Sequence, residues 1–245
     1  MSGVVAENID KVRQNIAQAA LRSGRAADDV RLVLVTKTVL PERVREAIAA
    51  GENDFGENKV QEGKQKAEAL ADPSLHWSMI GHLQTNKVKD VLRFAHEVQS
   101  LDRLSLAVEL DKRLQKEGRS LDVLVQVNTS EEDSKYGLSE DEVLPFLREL
   151  TAFSSLNVRG FMTLARFTPD QNIVRACFRV LHHVREQAQQ AAPQGAALRE
   201  LSMGMSGDYE LAIEEGATIV RVGQAIFGAR ALPDSHYWPG INNKP

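Results

Sequence analysis

The chain has 245 residues, of which 42% are hydrophobic and 26% charged, and its formal net charge is −4. This composition is that of an ordinary globular protein, and the slight acidity without a basic block argues against nucleic acid as a partner. A single cysteine excludes a disulfide scaffold, and the lack of a long apolar stretch or signal-peptide pattern predicts a cytoplasmic protein that does not associate with membranes.

The first predicted element is an amphipathic helix over about residues 3–23. Its apolar side chains recur at helical spacing and share one face: Val5, Ile9, Val12, Ile16 and Ala20. Gly24 follows where a C-cap glycine is expected. The branched apolar run RLVLVT at 31–36 comes next, and it is typical of a strand that is buried on both faces.

Strands and helices then alternate along the rest of the chain. Strand-like runs begin near Arg31, Asp54, His76, His96, Asp122, Asn157, Glu200 and Thr218. Helical segments lie between them, at about 41–50, 57–71, 84–94, 102–118, 139–152, 171–191 and 206–215. Such alternation implies parallel strands, and a spacing of roughly 27 residues per unit is typical of βα repeats.

We therefore predict an α/β fold, a single (β/α)8 TIM barrel preceded by the extra N-terminal helix. The strand–helix units span about residues 31–230, and a tail over about 231–245 follows them, so that residues 1–245 form one domain. An open doubly wound sheet is the alternative, but no G-x-G-x-x-G turn follows the first strand.

In such a barrel the functional residues lie at the carboxyl ends of the strands. Lys37 directly follows the most apolar strand, so its amine is delivered to the mouth of a dry barrel. Burial disfavours the charged ammonium and lowers its pKa, which suits an amine that attacks a carbonyl to form a Schiff base. The alternative is a lysine that extends to water from a strand end.

The loops after the seventh and eighth strands have the composition of a phosphate site. The segment LSMGMSGDYE at 201–210 runs through small residues into a helix, with Ser206 as the expected N-cap, and Gly223 and Gln224 follow the eighth strand. Backbone N–H groups and hydroxyls at these positions bind phosphate in many barrels. Ordinary helix capping and tight turns would favour the same residue types.

Arg221 lies within the predicted eighth strand, TIVRVG. Because side chains alternate between the faces of a strand, Ile219, Arg221 and Gly223 share one face. A buried arginine requires a partner, which is either a structural ion pair or a ring nitrogen or carboxylate in the barrel mouth. An aldehyde for the lysine, a phosphate for the loops and a heteroatom for the arginine together describe pyridoxal 5′-phosphate (PLP).

Several segments resemble those of the pyridoxal phosphate homeostasis protein family, whose barrels are similar to the N-terminal domain of alanine racemase. They occur in the expected order: VTKTV around Lys37, FGENKVQE at 55–62, WSMIGHLQTNKVK at 77–89, DSKYGLS at 133–139, RGFMTL at 159–164, LSMGMSGDYELAIEEGATIVRVG at 201–223 and QAIFGAR at 224–230. The resemblance implies a barrel of PLP fold type III without its C-terminal β domain.

The resemblance also implies roles for individual residues. Lys37 would form the Schiff base with PLP, and Arg221 would face the pyridine nitrogen, with Asn58 near the ring and Met203 close to the cofactor. The phosphate would be surrounded by Ser202, Gly204, Ser206, Gly223 and Gln224. An arginine donor leaves the ring nitrogen unprotonated, so the ring becomes a weaker electron sink.

These features favour a PLP-binding protein in vitamin B6 homeostasis that holds, buffers or delivers the cofactor with little or no turnover. PLP-dependent enzymes are the candidate recipients, no metal site is expected, and a monomer is favoured. The alternative is a weak amino-acid racemase of the alanine racemase type, whose second base is expected from a C-terminal domain. A Schiff-base aldolase fits Lys37 but leaves Arg221 unexplained. The sequence does not define the roles of His82, Lys135 and Tyr136.

Overall fold

The computed structural model describes residues 3–130, 132, 136–193 and 197–229. In these ranges eight parallel strands close a barrel in the order in which they occur along the chain. The strands are β1 (Arg31–Val35), β2 (Asp54–Glu57), β3 (His76–Met79), β4 (Glu97–Leu101), β5 (Leu121–Gln126), β6 (Leu156–Met162), β7 (Glu200–Ser202) and β8 (Ile219–Val222). The barrel closes where Leu32 of β1 pairs with Val220 of β8. The predicted (β/α)8 architecture is confirmed.

The helices surround this barrel. They are α1 (Val4–Arg22), α2 (Pro41–Ala49), α3 (Val60–Leu70), α4 (Val88–Val91), α5 (Leu104–Glu117), α6 (Glu140–Leu150), α7 (Gln171–Ala191), α8 (Tyr209–Glu214) and α9 (Gln224–Phe227). The predicted N-terminal helix is confirmed as α1. No helix in the described ranges is both long enough and apolar enough to cross a membrane.

Three helices differ from the sequence prediction, and one of them, predicted from residue 206, begins at Tyr209 as α8. The helix predicted from residue 57 begins at Val60, because Glu57 still pairs in β2. The helix predicted over 84–94 is a 3-10 turn at Thr85–Lys87 followed by the single turn of α4. Apolar periodicity identified the packed face of this segment but could not distinguish the tighter turn from an α-helix.

Two apolar layers stabilise the barrel. The inner layer consists of Val33, Leu124, Met162 and Ile219, whose side chains pack together inside the barrel. The much larger outer layer lies between the strands and the helices and contains the alternate residues of the same strands. In β8 this alternation leaves Arg221 on the same face as Ile219, as the sequence predicted.

Helix α1 packs against α8 and α9, the two helices that follow the last strands. The Asn8 side-chain amide donates a hydrogen bond to the carbonyl oxygen of Ile226 over 2.9 Å. The Asn15 amide donates to the hydroxyl of Tyr209, also over 2.9 Å. The extra N-terminal helix therefore braces the two segments that lie next to the carboxyl ends of β7 and β8.

Candidate functional site

Lys37 lies two residues beyond the end of β1, at the carboxyl end of the barrel. It is 8% exposed, and the adjoining Thr36 is fully buried. A cavity of about 230 Å³ lies beside it, lined by Lys37 together with Val35, Gly223 and Gln224. The structure thus brings the predicted lysine and two of the predicted phosphate-binding residues to the same space.

Arg43 of α2 lines the same cavity, and the sequence analysis did not identify it. Its guanidinium pairs with the Glu46 carboxylate over 3.0 Å, one turn later in the helix. A guanidinium with several donors can pair with a second anion while it keeps the first. The sequence signal was weak, because an arginine in the first turns of a surface helix is commonly solvated.

The loop after β7 meets the loop after β8 through Ser206. The Ser206 hydroxyl oxygen accepts hydrogen bonds from the backbone N–H groups of Gly223 and Ala225, each over 3.3 Å. The expectation that Ser206 is the N-cap of the helix that follows β7 is wrong, because α8 begins at Tyr209 and Asp208 occupies its N-cap. Ser206 instead accepts from two backbone donors, one of which belongs to Gly223 in the cavity wall.

Close backbone approach explains two glycines of the site. A Cβ atom on Gly223 would lie 2.9 Å from the carbonyl oxygen of Val35, so glycine lets β8 approach β1 next to Lys37. Gly204 has a φ of +94°, and a Cβ there would lie 2.6 Å from the Cβ of Ala212. Both positions therefore require glycine for the shape of the barrel mouth.

Arg221 is 3% exposed inside the barrel mouth. Its Nη1 donates to the hydroxyl of Ser202 over 2.6 Å, and its Nη2 donates to the carbonyl oxygen of Thr163 over 2.8 Å. Burial lowers the pKa of Arg221 to about 10, with the charge of Asp208 opposing this effect, so the guanidinium stays charged at neutral pH. Neither observed partner is a carboxylate, so these contacts are hydrogen bonds to neutral groups and not an ion pair.

A series of hydrogen bonds between polar side chains inside the barrel fixes the position of Arg221. The Ser202 hydroxyl, which accepts from Arg221, donates to Gln99 Oε1 over 2.6 Å. Gln99 Nε2 in turn donates to Glu97 over 2.7 Å, and Arg31 pairs with the same carboxylate over 2.7 Å. Sequence analysis missed Gln99, although polar residues at alternate positions of the EVQSL strand were an available signal for an interior polar face.

The ends of β2 and β3 form the opposite side of the mouth. Asn58 follows β2 and is half-buried, and its carbonyl oxygen lies where a Cβ on Gly81 would be only 2.2 Å away. The His82 ring stacks on Tyr136 with 3.8 Å between ring centroids, and its Nδ1 lies 3.5 Å from Asp102. Burial lowers the pKa of His82, which favours the neutral ring at pH 7. Lys135 and the predicted tail over about 231–245 lie outside the described residues.

A buried carboxylate lies behind Lys37, in the FGENKVQE segment that the sequence singled out without a role for Glu57. Glu57 is fully buried at the end of β2, and its Oε1 accepts hydrogen bonds from Lys66 Nζ over 2.7 Å and from the Thr36 hydroxyl over 2.6 Å. No described residue donates a hydrogen bond to the other oxygen, Oε2. Burial raises the pKa of Glu57 to about 7 despite the opposing charge of Lys66.

This raised pKa predicts a pH dependence of stability. The pKa of Glu57 is higher in the folded chain than its ordinary value of 4.5. Glu57 therefore stabilises the folded state fully below about pH 4.5, and this stabilisation is lost as pH rises through about 7. Between about pH 5 and about pH 8, we expect the free energy of unfolding to fall further in the wild type than in Glu57→Gln. Urea titrations at several pH values in this range measure the free energy of unfolding of both proteins. The same decrease with pH in the wild type and in Glu57→Gln would contradict the prediction.

Comparisons with a family model, with curated proteins and with solved structures all identify related proteins. The model of the family described as "Alanine racemase, N-terminal domain" matches residues 8–231. The chain is 41% identical to the pyridoxal phosphate homeostasis protein of Aquifex aeolicus, over 91% of this chain and 97% of that protein. It is 38% identical to the protein of the same name from Pasteurella multocida, over 92% and 97%. Among solved structures, PipY of Synechococcus elongatus PCC7942 with PLP bound matches with a TM-score of 0.81 and 34% identity, over 91% of this chain and 100% of that one.

Proposed function

The chain belongs to the pyridoxal phosphate homeostasis protein family, and we propose that it binds PLP at the carboxyl end of its barrel. The observation that carries this proposal is that Lys37, Gly223 and Gln224 line one and the same cavity. PLP bears an aldehyde and a phosphate on one small ring, so its site needs an amine and an anion-binding loop around one space. The similarity to PipY, which was solved with PLP bound, supports the same ligand.

The phosphate binds at the loops after β7 and β8. The backbone N–H groups of Gly223 and Ala225, which both donate to the Ser206 hydroxyl, are the donors that the phosphate would engage. Ser202, Gly204 and Gln224 complete the surroundings of the phosphate. Oriented backbone donors of this kind bind an anion without a basic side chain, and the Arg43 guanidinium adds a positive charge on the same cavity.

Lys37 holds the cofactor covalently. Its amine is the group that would form a Schiff base with the aldehyde of PLP. Met203, which is buried in the loop after β7, lies close to the cofactor, and Asn58 lies near the ring from the opposite side of the mouth. The covalent bond and the phosphate contacts together retain PLP more firmly than either alone.

Arg221 limits what the bound cofactor does. The guanidinium would donate a hydrogen bond to the pyridine nitrogen, and with a pKa of about 10 it would keep its own proton at neutral pH. The ring therefore supplies only weak electron withdrawal when it is bound. We infer that the protein holds, buffers and delivers PLP within the cell, with little or no turnover of amino acids.

Binding is tested by titrating PLP into the ligand-free protein and recording the visible absorption spectrum. A band that saturates at one PLP per chain is expected, and its absence at saturating PLP would refute the proposed function. Delivery is tested separately by mixing the loaded protein with a ligand-free PLP-dependent enzyme. We expect that enzyme to regain activity as the band of the loaded protein declines.

Turnover is tested with the loaded protein and L-alanine in deuterium oxide. We expect exchange of the α-proton at a rate close to that of free PLP, because the unprotonated ring is a weak electron sink. Proton NMR follows the exchange, and chiral chromatography follows D-alanine. Rapid exchange with accumulation of D-alanine would instead support the alternative, an amino-acid racemase.

A further inference from the structure

Three charged side chains form a cluster directly behind Lys37. Lys66 of α3, 4% exposed, donates to Glu57 Oε1 and to Glu62 Oε1, each over 2.7 Å. Glu57 is fully buried, whereas the Glu62 side chain is 25% exposed. Burial of charged groups is costly unless they are paired, so the contacts within this cluster hold its members in a defined geometry.

The cluster binds the backbone on both sides of Lys37. Lys66 Nζ donates to the carbonyl oxygen of Thr36 over 2.5 Å, and Glu57 accepts from the hydroxyl of the same threonine over 2.6 Å. On the other side, Glu62 Oε1 accepts from the backbone N–H of Thr38. The two peptide units that flank Lys37 are therefore attached to one set of side chains on α3 and β2.

The backbone at Thr38 needs this support. Its φ is +65°, a left-handed conformation that a β-branched residue adopts only at a cost in free energy. The hydrogen bond from the Thr38 N–H to a carboxylate stabilises this conformation. Because Thr38 directly follows Lys37 and lines the same cavity, its backbone conformation helps to determine where the lysine side chain starts.

We propose that Glu57, Glu62 and Lys66 are positioning residues that fix the backbone of Lys37 for bond formation with the aldehyde of PLP. This inference rests on the proposed function. The hydrogen bonds described for these three side chains join α3, β2 and residues 36–38, and not the loops after β7 and β8. Loss of the cluster therefore impairs formation of the Schiff base, while binding of the phosphate and ring remains.

Glu62 offers the clearest test, because it is partly exposed and its replacement leaves Lys66 paired with Glu57. Glu62→Ala removes the acceptor for the Thr38 N–H, whereas Glu62→Gln retains an oxygen there. The control is Glu68→Ala, at an exposed position on the same helix. Each protein is titrated with PLP by visible absorption and with pyridoxine 5′-phosphate by calorimetry. The second ligand has the ring and phosphate but no aldehyde, so it reports non-covalent binding alone.

For Glu62→Ala we expect apparent PLP affinity about tenfold lower and unchanged affinity for pyridoxine 5′-phosphate. Glu62→Gln should recover most of the loss, and Glu68→Ala should match the wild type. Equal affinities for PLP in Glu62→Ala and the wild type would overturn the inference, as would an equal loss for both ligands. If the wild type itself gives no visible band with PLP, the proposed function fails. That failure is seen in the wild type alone, so it is distinguishable from the two outcomes for Glu62→Ala.

Discussion

Replacement of Lys37 by alanine is expected to abolish the visible absorption band that PLP produces with the wild-type protein. The band depends on the carbon–nitrogen double bond between Lys37 and the aldehyde, and alanine has no amine to form it. Lys37 is the buried lysine that lines the cavity together with the glycine of the phosphate loop. We expect the variant to retain weak, non-covalent affinity for PLP through that loop.

Lys87→Ala is the matched control for this experiment. Lys87 is exposed on the 3-10 turn that follows β3, at the same end of the barrel, and it does not line the cavity. Its replacement should leave both the band and the affinity for PLP unchanged. A band of undiminished intensity in Lys37→Ala would mean that another amine holds the aldehyde, and the assignment of Lys37 would be wrong.

The second large effect is expected for Gly223→Ala. The added Cβ would lie 2.9 Å from the Val35 carbonyl oxygen and 3.2 Å from the Val35 Cβ, so β1 and β8 must separate next to the cavity. Overpacking of this kind lowers the free energy of unfolding by roughly 1–3 kcal/mol. Because the displaced N–H of residue 223 is a proposed phosphate donor, affinity for PLP and for pyridoxine 5′-phosphate should each fall about tenfold or more.

Gly3→Ala controls for the general effect of a glycine replacement. Gly3 is exposed at the start of α1 with a φ of −76°, and a Cβ there would meet only Glu46 Oε2, at 3.8 Å. Calorimetry with both ligands should give wild-type affinities for this variant. Wild-type affinities in Gly223→Ala, or a loss for PLP alone, would contradict a phosphate site at this loop.

The fold could be predicted closely because the sequence patterns that indicate each strand are local. Each strand begins within one residue of its predicted start, since short apolar runs follow clear turn residues along the chain. The inward orientation of Arg221 also followed from alternation within β8. Short helices were predicted less well, because a single turn such as α4 has too few residues to establish a period.

Apart from Arg221 within β8, the residues of the candidate site could be predicted mainly where they follow strands. Lys37, Ser206 and Gly223 lie in such loops, and the barrel topology alone brings these loops together. Lys66 could not be found in this way, because a lysine in a polar helix resembles a solvated residue. Its burial depends on Glu57, which is nine residues away on a strand end, and on the carbonyl oxygen of Thr36. Contacts of this kind become visible only when the fold is known.

Chemical reduction tests most directly whether Lys37 carries PLP. Borohydride treatment of the PLP-loaded protein converts the Schiff base to a stable secondary amine, and digestion followed by mass spectrometry locates the added pyridoxyl phosphate group. We expect this mass on Lys37 in the wild type and no stoichiometric labelling of any lysine in Lys37→Ala. Stoichiometric label on another lysine, or an unlabelled wild type despite saturating PLP, would contradict the account.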